Sequence, residues 1–265
     1  MIATTQTAKK HILITGASSG IGLEAALLLQ RAGHHLTLPC RNSETAVRLN
    51  QRFGYLDNIQ TPICNLADLN SVASCSKELL IKGNPIDTLA LNAGLQYSGG
   101  KQPQWSKQGF AGALMLDGGN IFNAEKAYKD SKLCNLLMAQ YIAHNHSTNS
   151  TPITVIAWSP GLVIPRSNQG FFRYSRKQNP IGQTIFTFIA RDLLRICETT
   201  EGAGKLLANL ATEKQLETTK FQYWCNRVVG LGKLEFKQTD PSTEASCLKL
   251  AEKLWQLSAK QINKV

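Results

Sequence analysis

Apolar positions in the first 94 residues follow two alternating periods. Residues 11–15 (HILIT) are a short run rich in β-branched side chains that ends at a Gly-rich turn, the pattern of a buried strand. Residues 22–32 (GLEAALLLQRA) then place apolar side chains at helical spacing and stop at Gly33. The same unit recurs. Residues 35–39 read as a strand, and 43–53 as a helix opened by Ser43 as its cap. Residues 60–64 are a third strand, 69–80 a third helix capped near Asp68, and 86–91 a fourth strand. Strands alternating with helices predict parallel pairing and right-handed crossovers. The expected fold class is α/β, a doubly wound parallel sheet (Rossmann fold), as a single domain over residues 1–265.

Further along, residues 126–143 read as a long helix and 153–157 (ITVIA) as a strand leading into Ser159-Pro160-Gly161. Helices are predicted over 183–197, 202–211 and 244–258. No internal repeat, linker or low-complexity stretch marks a second domain.

Composition alters this picture little. A chain of 265 residues with 43% apolar and 18% charged side chains can bury one large α/β core. The first ten residues are polar and Thr-rich, unlike a secretory signal or transit peptide, and no apolar run reaches the ~18–20 residues of a membrane span. The expected location is cytoplasmic. The seven cysteines are scattered, odd in number and without a C-x-x-C pair, which suits reduced thiols. His144 and His146 have no Cys or carboxylate beside them, so no metal site is expected. The net charge of +11 is dispersed, apart from Arg166, Arg173, Arg176 and Lys177, and no nucleic-acid motif accompanies it. It reads first as solvated surface and second as attraction for anionic ligands.

Candidate chemistry begins at the first turn, Thr15-Gly16-Ala17-Ser18-Ser19-Gly20-Ile21-Gly22. Gly16 permits the tight turn, Gly20 lets the backbone approach a pyrophosphate, and Gly22 lets the helix pack close to the sheet. The helix N-terminus offers free N–H groups and a partial positive charge to phosphates. The turn follows a strand and opens a helix, as a dinucleotide site requires. An NAD site usually carries an acid about 20 residues on, at the ribose 2′-hydroxyl. This chain has Arg41 there, and a guanidinium suits a 2′-phosphate, so NADP is the expected cofactor. Asn65 and Leu66 follow the third strand, where an adenine would lie. Asn92, Ala93 and Gly94 follow the fourth, at the ligand-binding edge.

Tyr128 and Lys132 are four apart on a predicted helix and share one face. A phenol has a reference pKa near ~10, and a neighbouring ammonium lowers it by stabilising the phenolate. Tyr128 is then a proton donor to a nascent alkoxide or carbanion, and an acceptor in reverse. Lys132 would also hold the nicotinamide ribose.

TGASSGIG, NAG and YKDSK, in this order, resemble the short-chain dehydrogenase/reductase family. The segment 126–135 (KAYKDSKLCN), the late FQYWCN and the closing LAEKLWQLSAKQI are similar to the light-dependent protochlorophyllide reductase branch. The retinol-dehydrogenase-like enzymes share much of this pattern. The resemblance implies Tyr128 as proton donor, Lys132 as its partner, and Pro160 and Gly161 as further cofactor contacts. It brings Cys134 near a substrate, against the commoner role of a small core cysteine. Self-association through the helix of Tyr128 is also a habit of the family.

The chain departs from the family between Gly94 and Tyr128. A helix bearing an Asn and a strand ending in Ser or Thr usually lie there. Here 99–110 and 118–123 are polar or Gly-rich, and the text resumes near 114–117 as though an internal block were absent. Losing a central parallel strand would break two hydrogen-bonded ladders. Ser98, Ser106 and Ser131 are the candidate substitutes for the orienting hydroxyl, and none closes a plausible strand. After Pro160-Gly161, the basic and aromatic run 169–177 and the apolar 183–197 suit a large apolar substrate with a carboxylate. They also suit weak peripheral contact with an anionic membrane. The plain alternative is a core helix with solvated Arg191 and Arg195. The expected function is hydride transfer from NADPH to an apolar carbonyl or conjugated double bond. The alternative is a catalytically impaired nucleotide-binding or interaction protein of the same descent.

Overall fold

The computed structural model describes residues 8–94, 124–146, 153–164, 179–216 and 220–262. The chain divides into two compact units: residues 1–66, 70–94 and 200–214, and residues 67–69, 95–199 and 215–265.

The first unit is built on four parallel strands in the order β3-β2-β1-β4: β1 His11–Ile14, β2 His35–Thr37, β3 Ile59–Gln60 and β4 Thr88–Ala90. Ile12, Ile14, Leu36 and Leu38 are fully buried in it, as strands covered on both faces require. Helix α1, Gly20–Arg31, buries Gly22, Ala25, Ala26 and Leu29, a helical stripe. Helix α2, Ser43–Phe53, buries Ala46, Leu49 and Phe53 and ends at Gly54, left-handed at φ 69°. Helix α3, Leu69–Lys82, precedes β4. A later segment, Thr200–Thr212, returns to this unit and packs on α1. Its Gly204 lies so close that an added Cβ would stand 2.5 Å from Glu24 Cβ.

The second unit holds a long helix, Ala124–His146 (α4), and a three-stranded sheet in the order β5-β6-β7. β5, Ile156–Ser159, pairs parallel with β6, Gln222–Gly230, which forms an antiparallel hairpin with β7, Lys233–Gln238. Helix α5 is Pro180–Thr187, and α6 is the Thr200–Thr212 helix of the first unit. Helix α7, Leu248–Ile262, packs along α4, with Trp255 stacked on Tyr141 at 4.6 Å between centroids. Among the described residues no helix is long and apolar enough to cross a membrane.

Several local expectations are corrected. α2 is capped by Asn42, not Ser43. The Asn42 backbone is extended and its side-chain oxygen accepts from Thr45 N at 2.9 Å, while Ser43 is already helical. The strand expected at 153–157 lies at Ile156–Ser159. The last helix opens at Leu248 rather than 244, behind a turn that Ser242 brackets through Ala245 N and Ser246 Oγ. Residues 183–197 do not form one helix. α5 passes into a π-turn, Phe188–Leu193, and the chain then bends at Arg195, left-handed at φ 51°. That segment is no core helix either: Ala190 is buried, but Phe188 is 59% and Leu193 65% exposed. The β6–β7 hairpin was not foreseen. The segments 99–110, 114–117 and 118–123, on which the idea of an absent block rests, lie outside the described residues, as do Ser98, Ser106 and the run 169–177.

Candidate active site

The first unit gathers its predicted site residues on one edge of its sheet. β1 runs into Thr15, whose N–H donates to Ala90 O at 3.0 Å. The Thr15 hydroxyl accepts from Ala93 N at 3.0 Å, and its carbonyl accepts from Asn92 Nδ2 at 3.1 Å. Thr15 therefore ties the end of β1 to the Asn92-Ala93-Gly94 turn. The glycine turn sits on that tie. Gly16 is left-handed at φ 72°, and a Cβ there would lie 2.8 Å from Ala93 Cα. A Cβ at Gly22 would lie 2.6 Å from both Asn92 Nδ2 and Gly16 O. Gly20 is left-handed at φ 61°, with nothing within 4 Å of a built Cβ. Two glycines thus close the turn from below, while the third opens onto free space.

The start of α1 completes the cradle. It lies at Gly20, earlier than the pattern of apolar residues suggests. Ser19 is its extended N-cap and makes no side-chain capping bond, and the first turn holds no acid. Its leading N–H groups are thus left for an anion, in contrast to α2, which carries both the Asn42 cap and Glu44. Ser18 is exposed, and Ile21 is half-buried. This geometry fits a dinucleotide pyrophosphate. Arg41 is exposed in the bend between Cys40 and α2. Asn65 follows β3, and its N–H donates to Ser71 Oγ of α3 at 2.9 Å; Leu66 beside it is exposed.

The second unit carries Tyr128 and Lys132 on α4. Lys132 Nζ lies over the face of the Tyr128 ring, 5.4 Å from its centroid. Lys132 is open to solvent over more than a third of its surface, yet burial around the ammonium lowers its pKa. Burial of the phenol pushes Tyr128 up. The sequence reading anticipates the opposite direction. The physical reason is that burial disfavours the charged phenolate, and this desolvation decides the sign. Ser131 donates its hydroxyl to Tyr128 O at 2.7 Å and is engaged with its own helix, not free to orient a substrate. Cys134 is half-buried, its thiol pushed up by burial and then by Asp130.

Pro160 and Gly161 follow β5, as expected. Gly161 is left-handed at φ 74°, and a Cβ there would lie 2.9 Å from Asn226 O. Asn226, buried on β6, donates to Glu198 Oε2 at 3.0 Å, and Glu198 N–H donates to Leu162 O at 2.8 Å. Asn226 and Glu198 thus brace the Pro160-Gly161 turn. Sequence reasoning missed both, and it missed the tie made by Thr15. The signal for Asn226 was its place in FQYWCN, a resemblance with no role attached. No cluster of three metal-ligating side chains occurs among the described residues.

A parallel sheet, a glycine turn at its carboxyl edge and a helix opening onto that turn define a dinucleotide-binding α/β protein of the Rossmann class. Residues 10–111 match the family model for short chain dehydrogenase. The chloroplastic protochlorophyllide reductase of Cucumis sativus is 27% identical over 324 residues, covering 96% of this chain and 78% of that one. Protochlorophyllide reductase A of Arabidopsis thaliana is 26% identical, covering 96% and 77%. An uncharacterized protein from Mycobacterium paratuberculosis shares the fold, with a TM-score of 0.63, 19% identity, and coverage of 97% of this chain and 94% of that one. L-sorbose reductase from Gluconobacter frateurii, solved with NADPH and L-sorbose, has a TM-score of 0.59 at 17% identity, covering 86% and 98%. The first part of the chain is thus similar to short chain dehydrogenases, and most of its length is similar to protochlorophyllide reductases.

Proposed function

We propose that this chain is an NADPH-dependent reductase that transfers hydride to an apolar carbonyl or a conjugated double bond. The observation that carries the reading is the glycine cradle: Gly16 and Gly22 exclude any side chain, and Gly20 opens to space beside the uncapped start of α1.

The cofactor, when bound, supplies the hydride. The chain's own residues do the rest. The N–H groups of Ser19, Gly20 and Ile21 meet the pyrophosphate, and Ser18 borders it. The Arg41 guanidinium forks onto a ribose 2′-phosphate. Asn65 and Leu66 border the adenine. In the first unit Asn92, Ala93 and Gly94 are the residues that would meet the nicotinamide half; in the second, Pro160 and Gly161 are further candidate cofactor contacts and Lys132 the candidate partner of its ribose. Tyr128, a phenol and so protonated at neutral pH, would give its proton to the developing anion on the substrate. The exposed apolar side chains Ile181, Ile185, Phe186 and Phe188 favour an apolar substrate. The relatives support a reductase, being named protochlorophyllide reductases.

The test is isotopic. NADPH deuterated at its transferable position is supplied with a panel of apolar carbonyls and, under illumination, protochlorophyllide. The expected result is one deuterium in a product. In Tyr128→Phe, kcat should fall about 10²–10⁴-fold with NADPH affinity retained.

A second reading has its own support. The alignment to the Cucumis sativus protein spans 324 residues, more than the 265 of this chain, so the relative carries stretches with no counterpart here. In the first unit Leu80, Ile81, Leu89 and Leu91 are exposed. Both observations suit a nucleotide-binding or interaction protein without turnover. NADPH binding with no deuterium in any product would select it.

A further inference from the structure

β7 closes one side of the three-stranded sheet in the second unit, and among the described residues only β6 pairs with it. The register fixes which of its backbone groups face outward. Tyr223 stands opposite Thr239, one step beyond the Trp224–Gln238 pair, and Thr239 N–H donates to Tyr223 O at 2.8 Å. Hydrogen-bonded and non-hydrogen-bonded pairs alternate along an antiparallel ladder. Glu235 and Lys237 therefore turn their peptide groups towards β6, while Leu234, Phe236 and Gln238 turn theirs to the open edge. Side chains alternate between the two faces of the sheet. Lys233, Glu235 and Lys237 share one face and are exposed, with Glu235 and Lys237 forming an ion pair. Leu234 and Phe236 share the other and are half-buried, Phe236 lying 5.5 Å from Trp224 between centroids.

We propose that the β7 edge is an interface between two copies of this chain, their β7 strands pairing antiparallel about a two-fold axis at Phe236. The outward peptide groups require that Leu234, Phe236 and Gln238 make the bonded pairs. Charge then selects the register. With Phe236 opposite its own copy, Leu234 pairs with Gln238 of the second copy, and Glu235 faces Lys237 once on each side of the axis. An axis at Glu235 or at Lys237 sets a like charge against itself, which is unfavourable in a cross-strand pair. An axis at Leu234 alternates the charges but carries the ladder into the turn at Gly232, left-handed at φ 66°. Charges on an open edge usually block pairing. Here their alternation opposes the neighbouring registers and favours one. The exposed pair within the chain contributes little, so exchanging it for pairs between copies costs little. The interface is isologous, as two-fold dimers require. A ladder of six residues is small, so the dimer is weak, with a dissociation constant on the order of 100 μM. The proposal is independent of cofactor and turnover.

Sedimentation equilibrium of the full chain, from about 10 μM to about 1 mM, should show a monomer–dimer equilibrium. Glu235→Lys and Lys237→Glu should each weaken the dimer about tenfold or more, because both ion pairs become like-charge contacts. Both positions are exposed, so each variant should melt as the wild type does. An equimolar mixture of the two variants should recover the dimer, since Lys then faces Glu at both pairs. A cross-link reads the register separately. Glu235 and Lys237 of the second copy form a non-hydrogen-bonded pair with Cα atoms about 4.5 Å apart, within reach of a disulfide. Glu235→Cys mixed with Lys237→Cys and oxidised with copper phenanthroline should give a linked dimer that neither variant alone nor the wild type gives. A chain that stays monomeric at the highest concentration overturns the proposal. So does a dimer that Glu235→Lys leaves intact, such as one formed through the helix of Tyr128, or a mixture of folded charge variants that recovers no dimer. Linkage in Glu235→Cys alone overturns the register.

Discussion

Gly16 shows how little freedom the cradle allows. Its backbone is left-handed, and a methyl group would press into Ala93. Gly16→Ala should cost about 1–3 kcal/mol of stability, as strained positions do, and abolish NADPH binding. Urea unfolding and cofactor fluorescence would read the two effects. Arg41 carries a different prediction. It is exposed, and no hydrogen bond or ion pair ties it to the other described residues, so Arg41→Ala should leave the melting temperature unchanged. Losing a charge-assisted pair costs about 1.5–3 kcal/mol, roughly a tenfold loss of NADPH affinity or more, with NADH unaffected. The ratio of the two dissociation constants is the readout. At this scale the sequence was legible in local geometry, as with the left-handed glycines of the first turn and the meeting of Tyr128 and Lys132 on one helix face. It was silent on Thr15, Asn226 and Glu198, ordinary polar residues whose partners are far away in the chain.

At the scale of elements, β1 begins beside a histidine that the fold holds neutral. His34 is buried at the entry to β2, and its Nδ1 accepts from Lys10 N at 3.0 Å. Burial lowers its pKa, with Lys10 and His35 adding to the shift. A lowered folded value means that the unfolded chain binds the proton more readily. The contribution is therefore complete above the ordinary histidine value of about 6.5 and is lost as pH falls through the folded value. Urea midpoints at pH 7.5 and pH 5 should fall more in the wild type than in His34→Asn, which keeps an acceptor and does not titrate. Equal falls in the two proteins would refute the role. Elements were readable where period and punctuation agree, as in α2 between Asn42 and Gly54. The β6–β7 hairpin was not, because QYWCNRVVG mixes polar and apolar residues without alternation and no turn signal appears before Gly230. The π-turn at Phe188–Leu193 was hidden for a related reason: its apolar residues keep helical spacing while the hydrogen bonds slip.

For the whole molecule, the doubly wound order β3-β2-β1-β4 follows from alternating strands and helices, and the fold of the solved relatives agrees. The return of α6 to the first unit could not be read from the sequence. Its packing on α1 depends on Gly204 meeting Glu24, a contact that no local pattern encodes. The exposed Leu89 and Leu91 and the longer relatives raise one question about function: whether a chain with less material than a protochlorophyllide reductase still engages its cofactor. Calorimetric titration of the purified chain with NADPH and with NADH answers it. The account predicts one NADPH site per chain with micromolar affinity, at least tenfold weaker binding of NADH, and loss of both in Gly16→Ala. Absence of heat with either nucleotide at millimolar concentration, from a chain that melts cooperatively, would contradict it.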